Sequence, residues 1–213
     1  MVRKFINFVL CCAFLAATSA AFADTLNVAT GLDNNYNLIT QDGGYDAHWT
    51  VQQANDQYTP AQVVMPGDAD WYGGWLPNGP NSNWIARNAF NCCNGGGSYT
   101  FSTTFYAADP SAASITGAWA IDDGGVLQLN GQTIDTQGSG GWGTLHDFSA
   151  SGSSWFVQGL NTLSITITDN DNNFEAVRLE GTATGVTTPE PGTFIMLLSA
   201  IGGAVPFAKR LLK

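Results

Sequence analysis

Positive charge is scarce in this sequence. The 213 residues contain seven Lys and Arg against seventeen Asp and Glu. Five of the seven cations lie within the first four or the last five residues, so the segment 24–185 keeps Arg87 and Arg178 against sixteen acids. Binding to a phosphate backbone requires clustered Lys and Arg. The composition therefore argues against nucleic acid as a partner, and an acidic, Asn- and Gly-rich surface favours neutral glycans or cations.

Cysteine is also scarce. Cys11 and Cys12 lie in the N-terminal apolar stretch, which leaves the adjacent pair Cys92 and Cys93 in NCCNGGG and no disulfide framework. This pair is a disulfide candidate that would stiffen a glycine-rich loop, although adjacency strains the bond. Pairing between molecules and free thiols are the alternatives, and a zinc site would need two further ligands.

The sequence contains no recognisable catalytic motif. His48 and His146 are the two histidines, and neither lies in a hydrolase or metalloprotease motif. We expect both to be surface or hydrogen-bonded residues. Asp122 and Asp123 are adjacent, so in a strand they would point to opposite faces, which does not suit a shared acid/base site. We interpret them as turn formers.

The first 23 residues have the form of a secretory signal peptide. Arg3 and Lys4 precede an apolar stretch over 5–17, and small residues at 21–23 precede Asp24. An uncleaved anchor is the alternative, but the apolar run is short for a span of about 20 residues. We therefore predict passage through the Sec translocon, cleavage by signal peptidase and a mature chain that begins near Asp24.

The segment 24–185 has the pattern of a single all-β domain. Short alternating segments are separated by Gly, Asn, Asp and Pro about every ten residues, which is typical of an antiparallel β-sandwich. No long helical period occurs. The clearest predicted strands are 98–106, 114–121, 126–129, 162–168 and 176–181.

Alternation and turn residues support these strands. In LSITIT, Leu163, Ile165 and Ile167 share one face, so we expect that strand to be half buried. The sequences Asp123-Gly124-Gly125 and Asn130-Gly131 frame the strand 126–129, because Gly and Asn accept positive φ at little cost.

The segment 57–97 differs in composition from the rest of the domain. It is rich in Trp, Pro, Gly and Asn and has weak strand periodicity. We expect long loops over the sandwich, and loops of this length are usually functional or mobile.

Aromatic residues lie within and beyond this segment, among Asp, Asn and Gly rather than aliphatic residues. Such rings could stack on sugar faces while nearby polar groups bond sugar hydroxyls, or they could cap the core. We assign Trp119 and Trp155, which lie in strand-like surroundings, to the core. The glycan-binding candidates are Trp71, Tyr72, Trp75, Trp84 and Trp142.

The sequence DNDNN at 169–173 places oxygen donors at alternate positions. Calcium takes six to eight oxygens, and Asp169, Asp171 and Asn173 could supply several of them. The central Gly and distal Glu of an EF-hand are missing. An Asx-rich turn explains the segment without metal, so calcium is the one cofactor that the sequence indicates and it is not required.

The C-terminus carries a three-part pattern. Pro189, Glu190 and Pro191 precede an apolar run over 193–208 and a basic end at 209–213. This tail, 186–213, resembles the PEP-CTERM sorting domain. The resemblance implies recognition of the motif by an exosortase of a Gram-negative bacterium, a short transmembrane helix as an inner-membrane intermediate, and association with exopolysaccharide and biofilm. An apolar run followed by positive charge independently predicts a halt in the bilayer.

A second resemblance covers 114–185. The Asn130-Gly131 turn, the GLNTL segment at 159–163 and Trp119 stand in the order seen in the galactose-binding-domain-like jelly roll. The resemblance implies that Leu160 and Leu163 fill the core. It bears on architecture more than on ligand.

We expect a non-catalytic glycan-binding or adhesion protein of the cell surface or extracellular matrix, in contact with extracellular polysaccharide. A purely structural matrix protein without a ligand site is the first alternative. A secreted polysaccharide-processing enzyme that uses distant carboxylates is the second.

Overall fold

The computed structural model describes residues 24–54, 56–68, 71–89, 97–169 and 173–188. The expected signal peptide, the Cys92–Cys93 pair and the sorting tail from Pro189 onward, with its apolar segment, lie outside these residues. None of the helical segments within the described ranges is long and apolar enough to cross a membrane.

The described residues form an antiparallel β structure. Its eleven strands are β1 (Asp24–Asn27), β2 (Tyr45–Gln53), β3 (Thr59–Val63), β4 (Ile85–Ala86), β5 (Gly97–Ala107), β6 (Ser114–Asp122), β7 (Gly125–Leu129), β8 (Gln132–Gln137), β9 (His146–Ser151), β10 (Gly159–Asp169) and β11 (Ala176–Val186).

The strands form two layers joined at one corner. The first layer has the order β8-β7-β10-β5-β2-β3. The second has the order β11-β6-β9, with β1 also paired to β11. The short strand β4 connects the layers, because it pairs with β3 on one side and with β11 on the other. The predicted antiparallel β-sandwich is confirmed.

Both layers contribute to one hydrophobic core. From the first layer it takes Leu163, Ile165 and Ile167 of β10, and from the second it takes side chains that include Trp119 and Leu179, all fully buried. Side chains of a strand alternate between its faces, so the LSITIT pattern buries every second residue as predicted. The core assignment of Trp119 is confirmed, and Trp155 packs against the same cluster while partly buried.

The prediction that Leu160 fills the core is wrong. Leu160 is 57% exposed, whereas its neighbour Asn161 is fully buried. Because β10 already begins at Gly159, alternation places Asn161 and Leu163 inward and Leu160 outward. The Asn161 side chain compensates by bonding the backbone of Val157 in both directions.

The two predicted turns have different physical origins. Asn130 and Gly131 both have positive φ, 53° and 79°, as a tight hairpin requires. Gly124 and Gly125 do not have positive φ, contrary to the prediction. Gly125 lies in β7, where a Cβ would stand 1.9 Å from the carbonyl oxygen of Thr166. The glycine is needed for close backbone approach rather than for its φ.

The segment 57–97 contains strands that its composition does not predict. The strands β3 and β4 lie within it, and β5 begins at its end. Its other described residues are loop, as expected, and the parts 64–68 and 71–83 pack on the outer face of the second layer.

Candidate functional site

We call the described residues of 64–83 the Trp-rich loop. It covers the outer face of β6 and β11 near the start of β11. The small side chains of Ala120 and Ala176 face outward there, because alternation sends Trp119 and Val177 into the core. These two alanines leave room for large rings. A separate aromatic cluster forms on them, built from Trp71, Tyr72, Trp75, Trp84, Trp142 and Phe174.

Arg178 fastens the loop to the sheet. Its side chain is 3% exposed, and its guanidinium donates to Ser82 Oγ at 2.8 Å, to the carbonyl oxygen of Pro77 and to Glu180 Oε1 at 2.6 Å. Ser82 Oγ in turn donates to Glu180 at 3.2 Å. A planar group with several donors in fixed directions suits this bridging role. The loop is therefore held by a charged side chain of β11 as well as by its own rings.

Two of the five predicted glycan-binding residues are buried. Trp75 and Trp84 are 4% and 0% exposed and stack with ring centroids 4.8 Å apart. Their indole N–H groups donate to Asp122 Oδ2 at 2.6 Å and to the carbonyl oxygen of Leu76 at 2.7 Å. The expectation that they present ring faces to solvent is wrong, because the outer face of the second layer buries them.

The other three predicted residues remain partly accessible. Tyr72 is 37% exposed and meets Trp142 edge to face at 5.8 Å. Trp71 packs edge to face on Trp75 at 5.4 Å and is half-buried. Within the described residues, the indole N–H groups of Trp71 and Trp142 have no hydrogen-bond partner. These rings combine apolar faces with available donors.

Phe174 is a member of this surface that the aromatic pattern of the sequence does not predict. Its ring stacks on Tyr72 at 5.7 Å and meets Trp75 edge to face at 6.3 Å. It lies two residues before Ala176, the first residue of β11, and packs in the same cluster as that alanine. The two-residue spacing between Phe174 and Ala176 is the sequence feature that indicates this position. Below, the aromatic patch means Trp71, Tyr72, Trp142 and Phe174.

Asp122 has a role other than the predicted turn. It ends β6, is 5% exposed and accepts the Trp75 indole bond. Alternation places it on the outward face, beneath the loop. It is thus a buried anchor of the aromatic cluster.

The calcium prediction falls mostly outside the described residues. This holds for Asp171 and for the side chain of Asp169, whereas Asn173 is described and exposed. Among the described side chains, no group of three or more His, Cys, Asp or Glu is placed to hold a metal ion. Calcium at 169–173 stays a prediction.

The two histidines behave as expected. His48 Nε2 lies 2.9 Å from the carbonyl oxygen of Asp33, and its ring stacks on Tyr36 at 4.3 Å. His146 is exposed at the start of β9.

Comparison with known proteins finds distant structural similarity and no family. No protein-family profile and no curated protein matches the chain. A β-galacturonidase from Eisenbergiella tayi aligns with 75% of the chain at 10% identity and a TM-score of 0.39, and the chain spans 24% of that enzyme. A family 35 carbohydrate-binding module from Cellvibrio japonicus aligns over 68% of the chain and 99% of its own length, at 15% identity and a TM-score of 0.36. A family 35 carbohydrate-binding module from Clostridium thermocellum aligns over 64% of the chain and 98% of its own length, at 15% identity and a TM-score of 0.33. Similarities at this level do not bear on what the chain binds.

Proposed function

We propose that this protein is a non-catalytic glycan-binding component of an extracellular polysaccharide matrix, and that the aromatic patch is its contact surface. One observation carries the proposal: Trp71, Tyr72 and Trp142 keep accessible ring surface although their rings are held in one network with the buried pair Trp75 and Trp84. Trp71 contacts Trp75 directly, whereas Tyr72 contacts Trp142 and Phe174, and Phe174 contacts Trp75. Rings that are already fixed lose little conformational entropy when a ligand binds.

The chemistry of the patch suits sugars. A pyranose ring has an apolar C–H face and a rim of hydroxyl groups. Aromatic faces match the first, and the indole N–H groups of Trp71 and Trp142 match the second. Arg178 is buried and paired with Glu180, so it offers the patch no accessible positive charge. We therefore expect neutral rather than anionic glycans.

Export and sorting form the second half of the proposal. We infer that the chain is secreted through the signal peptide at 1–23. We further infer that an exosortase processes it at the inner membrane through the motif Pro189-Glu190-Pro191. The order of motif, apolar run and basic end at the C-terminus supports this inference. The mature protein would then reach the surface or matrix of a Gram-negative cell and take part in biofilm.

Retention of the purified protein on the exopolysaccharide of the producing cells tests the binding half. We expect Tyr72→Ala and Trp142→Ala each to lower the affinity about tenfold, as for a central interface residue. Tyr106→Ala is the matched control, because Tyr106 is 45% exposed but belongs to β5 of the other layer. Tyr106→Ala should bind like the wild type.

Two outcomes would favour other functions. Equal retention of all four proteins would indicate a structural matrix protein without a ligand site at the patch. Release of new reducing ends from the polysaccharide would indicate an enzyme. Either result overturns the proposal.

A further inference from the structure

A groove of about 850 Å³ runs across the outer face of the second layer, away from the aromatic patch. Its floor consists of cross-strand neighbours on one face: Asn27 pairs with Thr182, and Thr182 pairs with Thr116. In the next row Ala118 lies between Glu180 and Asp147. Short side chains keep this floor low, and its volume lies in the usual range for ligand sites.

Tyr36 forms one wall of the groove and is held in place unusually firmly. Its φ is 61°, which bulky residues rarely adopt. Asp33 secures the turn: its Oδ1 accepts from the backbone N–H of Asn35 and of Asn37, at 2.8 and 2.9 Å, and its carbonyl oxygen accepts from Tyr36. His48 covers one face of the tyrosine ring. An unfavourable backbone conformation secured in this way is typical of binding sites.

Polar groups on the groove floor are available for a ligand. Within the described part of the chain, the side chains of Thr116, Thr182 and Asp147 make no hydrogen bond to protein. Asn81 also lines the groove, and its amide donates to Glu180 Oε2 at 3.2 Å. Hydroxyl, carboxylate and amide groups therefore lie around one aromatic wall, an arrangement that can bond several hydroxyls of one ligand.

Charge restricts the ligand class. Among the described residues that line the groove there is no Lys or Arg, whereas Asp147 and Glu180 are acids. Arg178, the nearest cation on β11, is buried and bonded to Glu180. An anionic ligand would meet like charge without compensation.

We propose that this groove is a second saccharide site, which binds a neutral oligosaccharide against Tyr36 with Thr116, Thr182 and Asp147 as hydrogen-bonding partners. The site is separate from the aromatic patch. Ala176 and Thr182 are six positions apart on β11, about 20 Å along the strand. The loop held by Arg178 crosses the same sheet face between them. One polymer chain could occupy both sites and gain avidity.

Amide chemical-shift mapping of the purified protein separates the two sites. The probes are neutral oligosaccharides of glucose, mannose and galactose, with oligogalacturonate as the anionic comparison. We expect at least one neutral series to shift the amides around Thr116, Thr182 and Asn81, and oligogalacturonate to leave them unchanged. Shifts confined to the aromatic patch, or a groove that responds to none of the neutral series, would overturn the inference. The first of these results would leave the proposed function intact.

Variants then test the named residues. The double change Thr116→Val and Thr182→Val removes two hydroxyls at nearly constant volume, and we expect groove affinity to fall at least tenfold. Tyr36→Asn removes the ring with a residue that tolerates positive φ, and should do the same. Thr136→Val, an exposed threonine of β8 in the other layer, is the control and should bind normally. Normal groove binding by both groove variants would refute the site.

Discussion

The indole N–H of Trp75 donates a 2.6 Å hydrogen bond to Oδ2 of Asp122, which joins the Trp-rich loop to the end of β6. The two residues are 47 positions apart, and both are buried. This contact converts a loop of weak periodicity into an ordered layer. It also explains how Tyr72 and Trp71 can remain accessible yet fixed.

Truncation of Trp75 should therefore affect stability rather than binding alone. We expect Trp75→Ala to lower the free energy of unfolding by about 3–5 kcal/mol, the usual range for deleting a buried aromatic side chain. Tyr72→Ala, which removes a partly exposed ring and its ring contacts, should cost less than about 1.5 kcal/mol. Urea unfolding of both variants measures the difference. Equal losses would contradict the division into a buried base and an accessible patch.

Arg178 should be the more important of the two cations of the domain. Its removal takes the guanidinium donor from Glu180, Ser82 and the Pro77 carbonyl. Asn81 and Ser82 still donate to Glu180, so we expect Arg178→Ala to cost about 3 kcal/mol, the lower end of the range for a broken buried pair. Hydrogen exchange of the amides of Asn78, Gly79, Asn81 and Ser82 should accelerate together with the loss of stability.

Arg87→Ala provides the matched control. Arg87 pairs with Asp56 at 3.0 Å and also donates to Gln53 Oε1, but the pair is open to solvent, with side chains 32% and 61% exposed. Exposed ion pairs contribute about 0–1 kcal/mol. A loss as large as that of Arg178→Ala would show that overall charge, rather than the loop anchor, determines the effect.

Strands with clear alternation could be predicted from the sequence. The predictions for β5, β6, β7 and β10 lie within about three residues of the observed bounds, because each strand has one face in the core. The predicted strand at 176–181 continues to Val186 in the structure. Its second half, TATGV, has small residues and a glycine, and it is specified by pairing with β1 and β6 rather than by its own pattern.

The orientation of the aromatic side chains could not be predicted. Trp75 and Trp71 occur in the same Gly- and Asn-rich context, yet one is buried and the other is half exposed. The difference depends on Ala120, Asp122 and Ala176, which lie far away in sequence and form the surface beneath the loop. Local composition carries no information about such a surface. The groove could not be predicted from the sequence for the same reason. Its floor is formed by side chains from four separate strands.

Calcium should stabilise the protein if the segment 169–173 binds it. A ligand that binds the folded state alone raises stability by about 2.7 kcal/mol at a hundredfold excess over its dissociation constant. Millimolar calcium should raise the melting temperature of the wild type but not that of the double variant Asp169→Ala, Asp171→Ala. Magnesium is the control, because it prefers a tighter octahedral site and should have less effect. Equal calcium responses of wild type and variant would leave the segment an ordinary turn.

Export and sorting should depend on opposite ends of the chain. Replacing Pro189, Glu190 and Pro191 by alanine should leave signal cleavage intact, because the signal at 1–23 is untouched. The uncut protein should accumulate in the inner membrane, held by the apolar run at 193–208. Fractionation and the size of the product measure both steps. Normal C-terminal processing of this variant would refute the sorting motif.

The turn that positions Tyr36 should respond to acid through Asp33. The backbone N–H of Asn37, with smaller contributions from Asn35 and from the charge of His48, lowers the pKa of the Asp33 carboxyl below its ordinary value. A lowered folded-state pKa means that this stabilisation is fully present above the unfolded value of about 3.9 and is lost as the pH falls through the folded value. At pH 5, Tyr36 should therefore keep its position, and the groove should keep its affinity for a neutral oligosaccharide.

Titration of the Asn37 amide resonance follows this turn directly. We expect its shift, and groove binding of a neutral oligosaccharide, to change together below about pH 4. In Asp33→Asn the side-chain oxygen can still accept the Asn37 bond but carries no charge, so the Asn37 amide should stop titrating in this range. If that amide titrates equally in both proteins, a group other than Asp33 controls the turn. A wild-type amide that does not move as the pH falls would show that the carboxylate does not hold Tyr36 in place.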